Sequence, residues 1–293
     1  MIPAAFEYHA PKSLEEALRL LNRHGSEAKL LAGGHSLLPL MKLRLAAPRC
    51  VIDLGRIHAL RYIREENGRI AIGALTTHTE VLESPLLRTK CPLLPQTAWE
   101  IGDVQVRNRG TIGGSLAHAD PAADYPAAVL ALDAEIVAAS ADGTRTLRAA
   151  EFFVDMLTTA LLPGEILTEV RVPVLPPGTG TAYRKLHQPA SGFAIVGAAA
   201  RLTLGSGGKV ERVAVGLTGV APKAYRAAAV EKALTGKKAS EKLLAEAARH
   251  AVPQDVELLS DLHASAEYRK AMAVVFTRRA LEDALARAQS KKR

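Results

Sequence analysis

Cysteine is nearly missing from this chain: Cys50 and Cys91 are the only two in 293 residues. Two thiols so far apart supply no ligand set for a zinc or iron–sulfur centre, and a disulfide between them cannot be argued from spacing. Aromatic residues are scarce at 4 %, which removes the stacking platforms of a single-strand nucleic-acid binder. No apolar run reaches the roughly 18 to 20 residues that cross a bilayer, and no basic segment followed by an apolar core opens the sequence. The expectation is a soluble, cytoplasmic protein without a membrane span. Among the nine histidines there is no His-Glu-x-x-His and no close His/Asp/Glu group, so they read as surface or core residues and no metal site is expected.

What is plentiful is positive charge and glycine. The formal net charge is +8, which raises an acidic partner or nucleic acid. The densest basic runs, Arg278-Arg279 and the tail Lys291-Lys292-Arg293, carry no interleaved aromatics, so the basic balance reads as a solvated face or a subunit interface rather than a nucleic-acid site.

Along the chain, Ser13 and Glu16 form a helix-start pair followed by Ala17, Leu18, Leu20 and Leu21 on one side. Lys29 to Ala32 and Val51 to Leu54 read as buried strands, giving a small α/β unit that ends near Gly55. Arg69 to Ala74 alternates into the helix cap Thr76-Thr77-His78. Cys91 to Gly102 reads as a helix with Trp99 on its apolar side, and Asp120-Pro121-Ala122-Ala123-Asp124 as the opening of another. Ala134 to Ala138 and Ile166 to Val172 are strands, and three prolines and two glycines between residues 173 and 180 mark a domain boundary. Beyond it, Ala194 to Leu204 and Val210 to Leu217 flank a glycine-rich hairpin turn. From Ala227 onward the composition is helical, ending in Ser265 to Ala286, with Ala266, Tyr268, Met272, Val275, Phe276 and Leu281 as core candidates.

Two glycine pairs stand out: Ala32-Gly33-Gly34-His35-Ser36 and Thr111-Ile112-Gly113-Gly114-Ser115. Each borders an apolar run and ends in a hydroxyl. Glycine turns of this kind direct N–H groups at an anion, because no Cβ blocks the approach and a positive φ costs nothing. Two such turns suit a diphosphate. Neither pair fits the nucleotide-hydrolysing P-loop, neither fits Gly-x-Gly-x-x-Gly, and Ser36 lacks the second glycine of Gly-x-Ser-x-Gly.

In combination, Ala32 to Pro39, Gly73-Ala74-Leu75-Thr76-Thr77, Arg109 to Ser115, Asp120 to Asp124, Tyr183 to Leu186 and the closing Glu267-Tyr268-Arg269 resemble the FAD-binding medium subunit of molybdenum hydroxylases. The likeness is greatest to the aerobic carbon monoxide dehydrogenase type and more distant to the xanthine dehydrogenase flavin domain. It implies an α+β fold: a PCMH-type FAD-binding domain over about 1–176, with subdomains of about 1–57 and 58–176, then a C-terminal domain over about 177–293 built on a three-stranded antiparallel sheet with helices. It places Ala32, Gly33, Gly34, His35 and Ser36, with Thr111, Ile112, Gly113, Gly114 and Ser115, around the FAD diphosphate and adjoining groups. Thr76 and Thr77 fall near the flavin, and Ile101, Asp124, Leu167 and Lys185 at further flavin-contacting positions. Lys185 would set a cation near the flavin ring, against the simpler reading of a solvated lysine. Asp124 reads equally as a helix-start acid. Phe193 stands where carbon monoxide dehydrogenase subunits carry a tyrosine against the ring.

The resemblance further implies an oxidoreductase subunit that passes electrons from 2Fe-2S clusters of a small subunit through FAD to an external acceptor. Substrate would be hydroxylated at the molybdenum cofactor of a large subunit, in a dimer of heterotrimers. No side-chain acid or base is needed for that step, and none is expected. A stand-alone flavin oxidoreductase would need its own proton donor, which residues 181–293 do not offer. A flavin-free assembly subunit remains the other alternative, and flavin content separates it.

Overall fold

The computed structural model describes residues 2–290; the basic tail Lys291-Lys292-Arg293 lies outside them. The chain opens on a three-stranded parallel sheet in the order Glu7–His9, Cys50–Asp53, Ala28–Leu31. The helix Leu14–His24 covers it, burying Ala17, Leu18 and Leu21 against Cys50 and Ile52. Ser13 Oγ accepts the Glu16 N–H at 3.2 Å, and the Glu16 carboxylate accepts the N–H of Lys12 at 2.9 Å, one residue earlier than a standard reciprocal cap.

A five-stranded antiparallel sheet follows, ordered Ile63–Glu66, Arg69–Gly73, Ile166–Pro173, Glu135–Ser140, Gly143–Arg148. Helices pack on it around a large apolar cluster that includes Ile70, Ile72, Leu94, Ile112, Leu116, Leu130 and Val170. Two expectations change here. The predicted helix from Cys91 is Leu93–Trp99, and Trp99 at its end is 64 % exposed instead of facing the core. Arg107 stands over its ring at 5.7 Å. The segment from Asp120 does not open a helix: Asp120 accepts the Ala122 N–H in a local turn, and the helix runs Tyr125–Ala131. Pro121 and Ala123 are instead tied to the last domain, where their carbonyls accept from the Thr218 hydroxyl at 2.8 and 2.7 Å.

The C-terminal sheet has four strands, Thr179–His187, Ala194–Leu204, Val210–Thr218 and Tyr225–Arg226, where three were expected. The fourth is only two residues long and has no alternation to announce it. Arg226 fixes it by pairing with Glu231 at 2.7 Å and donating to the Leu130 carbonyl at 2.9 Å. The Gly205–Gly208 stretch is a hairpin turn as predicted, with Gly207 and Gly208 at φ 65° and 71°.

The helix Ala266–Ser290 lies across this sheet through Ala273, Phe276, Ala280, Leu281, Ala284 and Ala288. Gly180 admits its backbone directly, since a Cβ there would collide with the Ala284 carbonyl. Tyr268, an expected core residue, is exposed, and its neighbour Arg269 is buried in its place. Arg278 and Arg279 lie exposed on the same helix. No helix among the described residues is long and apolar enough to cross a membrane.

The five-stranded sheet's helical layer and the last sheet share an apolar interface. Every residue of Tyr125–Ala131 is buried, and Gly216 faces it so closely that a Cβ would lie 2.9 Å from the Ala127 carbonyl carbon.

Candidate functional site

The first glycine pair sits where the strand Ala28–Leu31 leaves the sheet and before the helix Leu37–Lys42. Gly34 holds φ at 81°, a left-handed conformation that disfavours any Cβ. Gly33 lies against the backbone of the second motif: a Cβ there would collide with the Arg109 carbonyl and lie 2.7 Å from Gly110 Cα. Across the same seam, a Cβ on Gly114 would lie 3.6 Å from Ala32 Cβ. The two glycine motifs, about eighty residues apart in sequence, are therefore in contact.

They are not alike. Gly113 and Gly114 do not form a positive-φ turn; they are in the first turn of the helix Ile112–His118. The four N–H groups that begin this helix are all engaged. Ile112 donates to the Thr76 carbonyl and Gly113 to the Ala74 carbonyl, each at 3.0 Å. Gly114 donates to Thr111 Oγ1 at 3.1 Å and Ser115 to the Thr111 carbonyl at 3.0 Å. Gly113 is required because a Cβ would sit 2.5 Å from Ala74 Cβ. In the first turn, by contrast, the N–H groups of Gly34, His35 and Ser36 donate to no acceptor among the described residues. His35 is exposed, and Gly33, Gly34, Ser36, Gly114 and Ser115 are half-buried. Unspent donors thus come from one motif, while the other supplies shape and the Ser115 hydroxyl.

Thr76 and Thr77 lie beside this seam, both buried. The Thr76 hydroxyl donates to the Tyr62 carbonyl at 3.0 Å. The Thr77 hydroxyl donates to Glu80 at 2.8 Å in a capping box, and Thr77 bridges Thr111. His78, next in line, is buried against Tyr125, and burial, with His35 and Arg107 nearby, pushes its pKa down to about 3. Leu167 is buried in the core beside Thr168, whose carbonyl accepts the Ala74 N–H.

Asp124 and Lys185, sixty-one residues apart, form a buried ion pair with Nζ 2.9 Å from Oδ2. Tyr183 donates to the other Asp124 oxygen at 2.6 Å, and Lys185 also donates to the Glu100 carbonyl at 2.8 Å. The lysine side chain is 0 % exposed, so it is neither a solvated lysine nor an isolated cation. Burial pushes the Asp124 carboxyl up to about 6 against the pull of Lys185 and Tyr183. Ile101, half-buried, follows Glu100 in a loop that Arg107 fixes by donating to the carbonyls of Ile101 and Gly102 at 2.9 and 3.1 Å. Phe193 is 47 % exposed at the end of the loop 188–193. In that loop a Cβ on Gly192 would lie 3.6 Å from Gly102 Cα. The fold so joins Ala32–Ser36 with Thr111–Ser115 and Thr77, Asp124 with Lys185, and the Phe193 loop with the Ile101 loop. Sequence reasoning quoted Tyr183 within a motif but gave it no role and passed over Arg107; their hydrogen bonds to Asp124 and to the 101–102 loop appear only in the folded chain.

Among known proteins, a family profile described as the FAD binding domain in molybdopterin dehydrogenase matches residues 4–175, and one described as the CO dehydrogenase flavoprotein C-terminal domain matches residues 181–284. The carbon monoxide dehydrogenase medium chain of Hydrogenophaga pseudoflava is 46 % identical over 287 residues, covering 98 % of this chain and 99 % of that one. Subunit alpha of the 6-hydroxypseudooxynicotine dehydrogenase complex of Paenarthrobacter nicotinovorans is 40 % identical over 292 residues, covering 100 % of this chain and 98 % of the other. A solved structure of the Hydrogenophaga pseudoflava carbon monoxide dehydrogenase, in a form lacking the Mo-pyranopterin moiety of the molybdenum cofactor, superposes with a TM-score of 0.94 at 47 % identity, covering 98 % and 99 % of the two chains. This chain belongs to the FAD-binding medium-subunit family of the molybdenum hydroxylases, of the carbon monoxide dehydrogenase medium-chain type, and is an oxidoreductase subunit.

Proposed function

We propose that this chain holds FAD with its diphosphate at the Ala32–Ser36 turn and works as the electron-transfer subunit of a molybdenum hydroxylase complex. The observation that carries this reading is the set of unspent N–H groups on Gly34, His35 and Ser36, on a turn where Gly34 alone tolerates φ 81°. Neutral donors of this kind bind a dianion without a counter-charge. Ser36 and Ser115 add hydroxyl donors from the two sides of the seam. Ala32, Gly33, Thr111, Ile112, Gly113 and Gly114 shape the cradle, and Thr76 and Thr77 brace it from behind. Ile101, Asp124, Leu167, Lys185 and Phe193 are assigned to the flavin end.

When bound, FAD supplies reversible redox chemistry that connects one-electron and two-electron partners. The residues around it have positioning work only. The Asp124–Lys185 pair is internally balanced, so it orients the Glu100–Gly102 loop and presents hydrogen-bonding groups more than it presents net charge. Phe193 offers an aromatic face without a hydroxyl. The electrons would arrive from 2Fe-2S clusters of a small subunit, with the molybdenum cofactor in a large one, in a dimer of heterotrimers, and leave to an external acceptor. The related chains come from complexes named for carbon monoxide and for 6-hydroxypseudooxynicotine, which supports a reading in which the large subunit, and not this chain, would select the substrate.

The test is an anaerobic reductive titration of the complex purified through this chain. Flavin bands that bleach together with an iron–sulfur background, in a preparation containing molybdenum, are expected. A complex with molybdenum and iron but no flavin would overturn the electron-transfer assignment, and turnover of a small alcohol by this chain alone would replace it with a stand-alone oxidase.

A further inference from the structure

The first, small sheet carries a side-chain cluster that has no part in the FAD reading. The strands Glu7–His9 and Cys50–Asp53 are parallel neighbours with Glu7 opposite Cys50 and His9 opposite Ile52. Side chains alternate along a strand, so Glu7, His9, Cys50 and Ile52 share one face. That face is the one covered by the helix Leu14–His24, whose last residue is His24 and whose end is set by Gly25 at φ 51°. One ligand atom from each of His9, His24 and Cys50 falls within 4.8 Å of the other two. The imidazole rings are 5.4 Å apart and tilted by 44°.

We propose that His9, His24 and Cys50 form a binding site for a thiophilic divalent cation, zinc by preference. Three observations support it. The ligand set, two imidazoles and one thiol, is the borderline-soft combination that suits zinc over magnesium or calcium. His24 Nε2 is a buried polar atom without a partner, which costs free energy unless something occupies it. Glu7 Oε1 lies 2.7 Å from His9 Nε2; with that nitrogen held by the carboxylate, Nδ1 is the one left to ligate, and an outer-shell carboxylate of this kind fixes the orientation of a ligating imidazole. Zinc bonds of about 2.0 to 2.3 Å put one sulfur and two nitrogens of a tetrahedral set roughly 3.3 to 3.6 Å apart, so ligand atoms that lie within 4.8 Å of one another close by at most about 1.5 Å, through side-chain rotation at a helix end. As the zinc–sulfur bond forms, the Cys50 thiol proton passes to water, and a solvent molecule completes the fourth position. Such a cation would pin the helix end to two strands of a unit whose own apolar core is small.

The test uses the untagged full chain with its FAD retained, freed of metal by chelator dialysis and titrated with Co²⁺ as the spectroscopic probe. One equivalent should give a thiolate-to-cobalt charge-transfer band, displaced by one equivalent of Zn²⁺. Cys50→Ala should abolish the band, and His24→Gln, at a partly exposed helix end, should weaken binding by about tenfold or more. Glu7→Gln should weaken it by about ten- to a hundredfold. Far-UV circular dichroism and flavin content check that each variant is folded. Absence of a thiolate band in the folded wild type, or an undiminished band in folded Cys50→Ala, overturns the proposal and leaves the FAD reading untouched.

Discussion

At the scale of single residues, three buried polar groups decide what the chain tolerates. Lys185 and Asp124 are each other's counter-charge, with Tyr183 and the Glu100 carbonyl completing their bonds. Removing one partner strands the other in the interior, so Lys185→Met should cost about 3 to 5 kcal/mol. The double variant Lys185→Met with Asp124→Asn should recover part of that loss. Urea unfolding of the four members of the cycle measures it, and strictly additive losses would show that the two groups do not interact. Arg269 donates to the carbonyls of Ile195 and Gly219 at 2.7 and 2.6 Å and pairs with Asp261 at 2.7 Å. Arg269→Met removes the charged donor to both carbonyls and the partner of Asp261, and should lower stability by about 3 kcal/mol, read from the thermal midpoint.

His78 sets a pH dependence whose sign follows from its burial. Its folded pKa of about 3 lies below the ordinary 6.5, so the unfolded chain binds the extra proton. The stability it contributes is complete above pH 6.5 and is lost as pH falls towards 3. Asp124, raised from 3.8 to about 6, tilts the profile the other way: its contribution is present below 3.8 and lost as pH rises through 6. The two therefore oppose each other over part of the acid range, and variants separate them. His78→Phe does not share the wild-type loss, so the stability gap between the two should narrow by about 2 kcal/mol on going from pH 6.5 to about 5. A gap that stays constant in urea melts over that range would contradict the burial argument.

At the scale of elements, the two glycine motifs look equivalent in sequence and are different devices. The second is a helix start whose first N–H groups are already spent on Thr76, Ala74 and Thr111; the first is a turn with donors to spare. Ser115→Ala and Ser36→Ala should each weaken FAD retention, by about tenfold or less, because each removes one hydroxyl and leaves the turn intact. Released flavin per chain after dilution measures it. Local signals showed the helix at Ser13, the buried strands around Val51 and Ile70, and the hairpin at Gly207. What escaped them was short or non-local. The strand Glu7–His9 has three residues and no apolar alternation, and Tyr225–Arg226 has two. Trp99 looks like a core residue by type, yet it is the last residue of its helix and lies on the surface. The partnership of Asp124 with Lys185 and the meeting of His9, His24 and Cys50 depend on tertiary packing that no local spacing encodes.

At the scale of the molecule, the glycine seam ties the first small sheet to the second, and the buried helix Tyr125–Ala131 ties the second to the C-terminal sheet. The candidate FAD residues are distributed over all three parts, so cofactor retention reports on their joint assembly. The most direct test is the FAD content per chain of the purified complex for the wild type, Gly34→Val and Gly207→Val. Both glycines have positive φ, 81° and 65°, so each valine carries backbone strain of about 1 to 2 kcal/mol; at Gly34 the new Cβ would also press on the flexible end of Leu38, 2.8 Å from its Cδ1, where Gly207 faces open space, and only Gly34 lies on the turn with unspent donors. The account predicts full flavin in the wild type and Gly207→Val and its loss in Gly34→Val. Full occupancy in a folded Gly34→Val chain would contradict it.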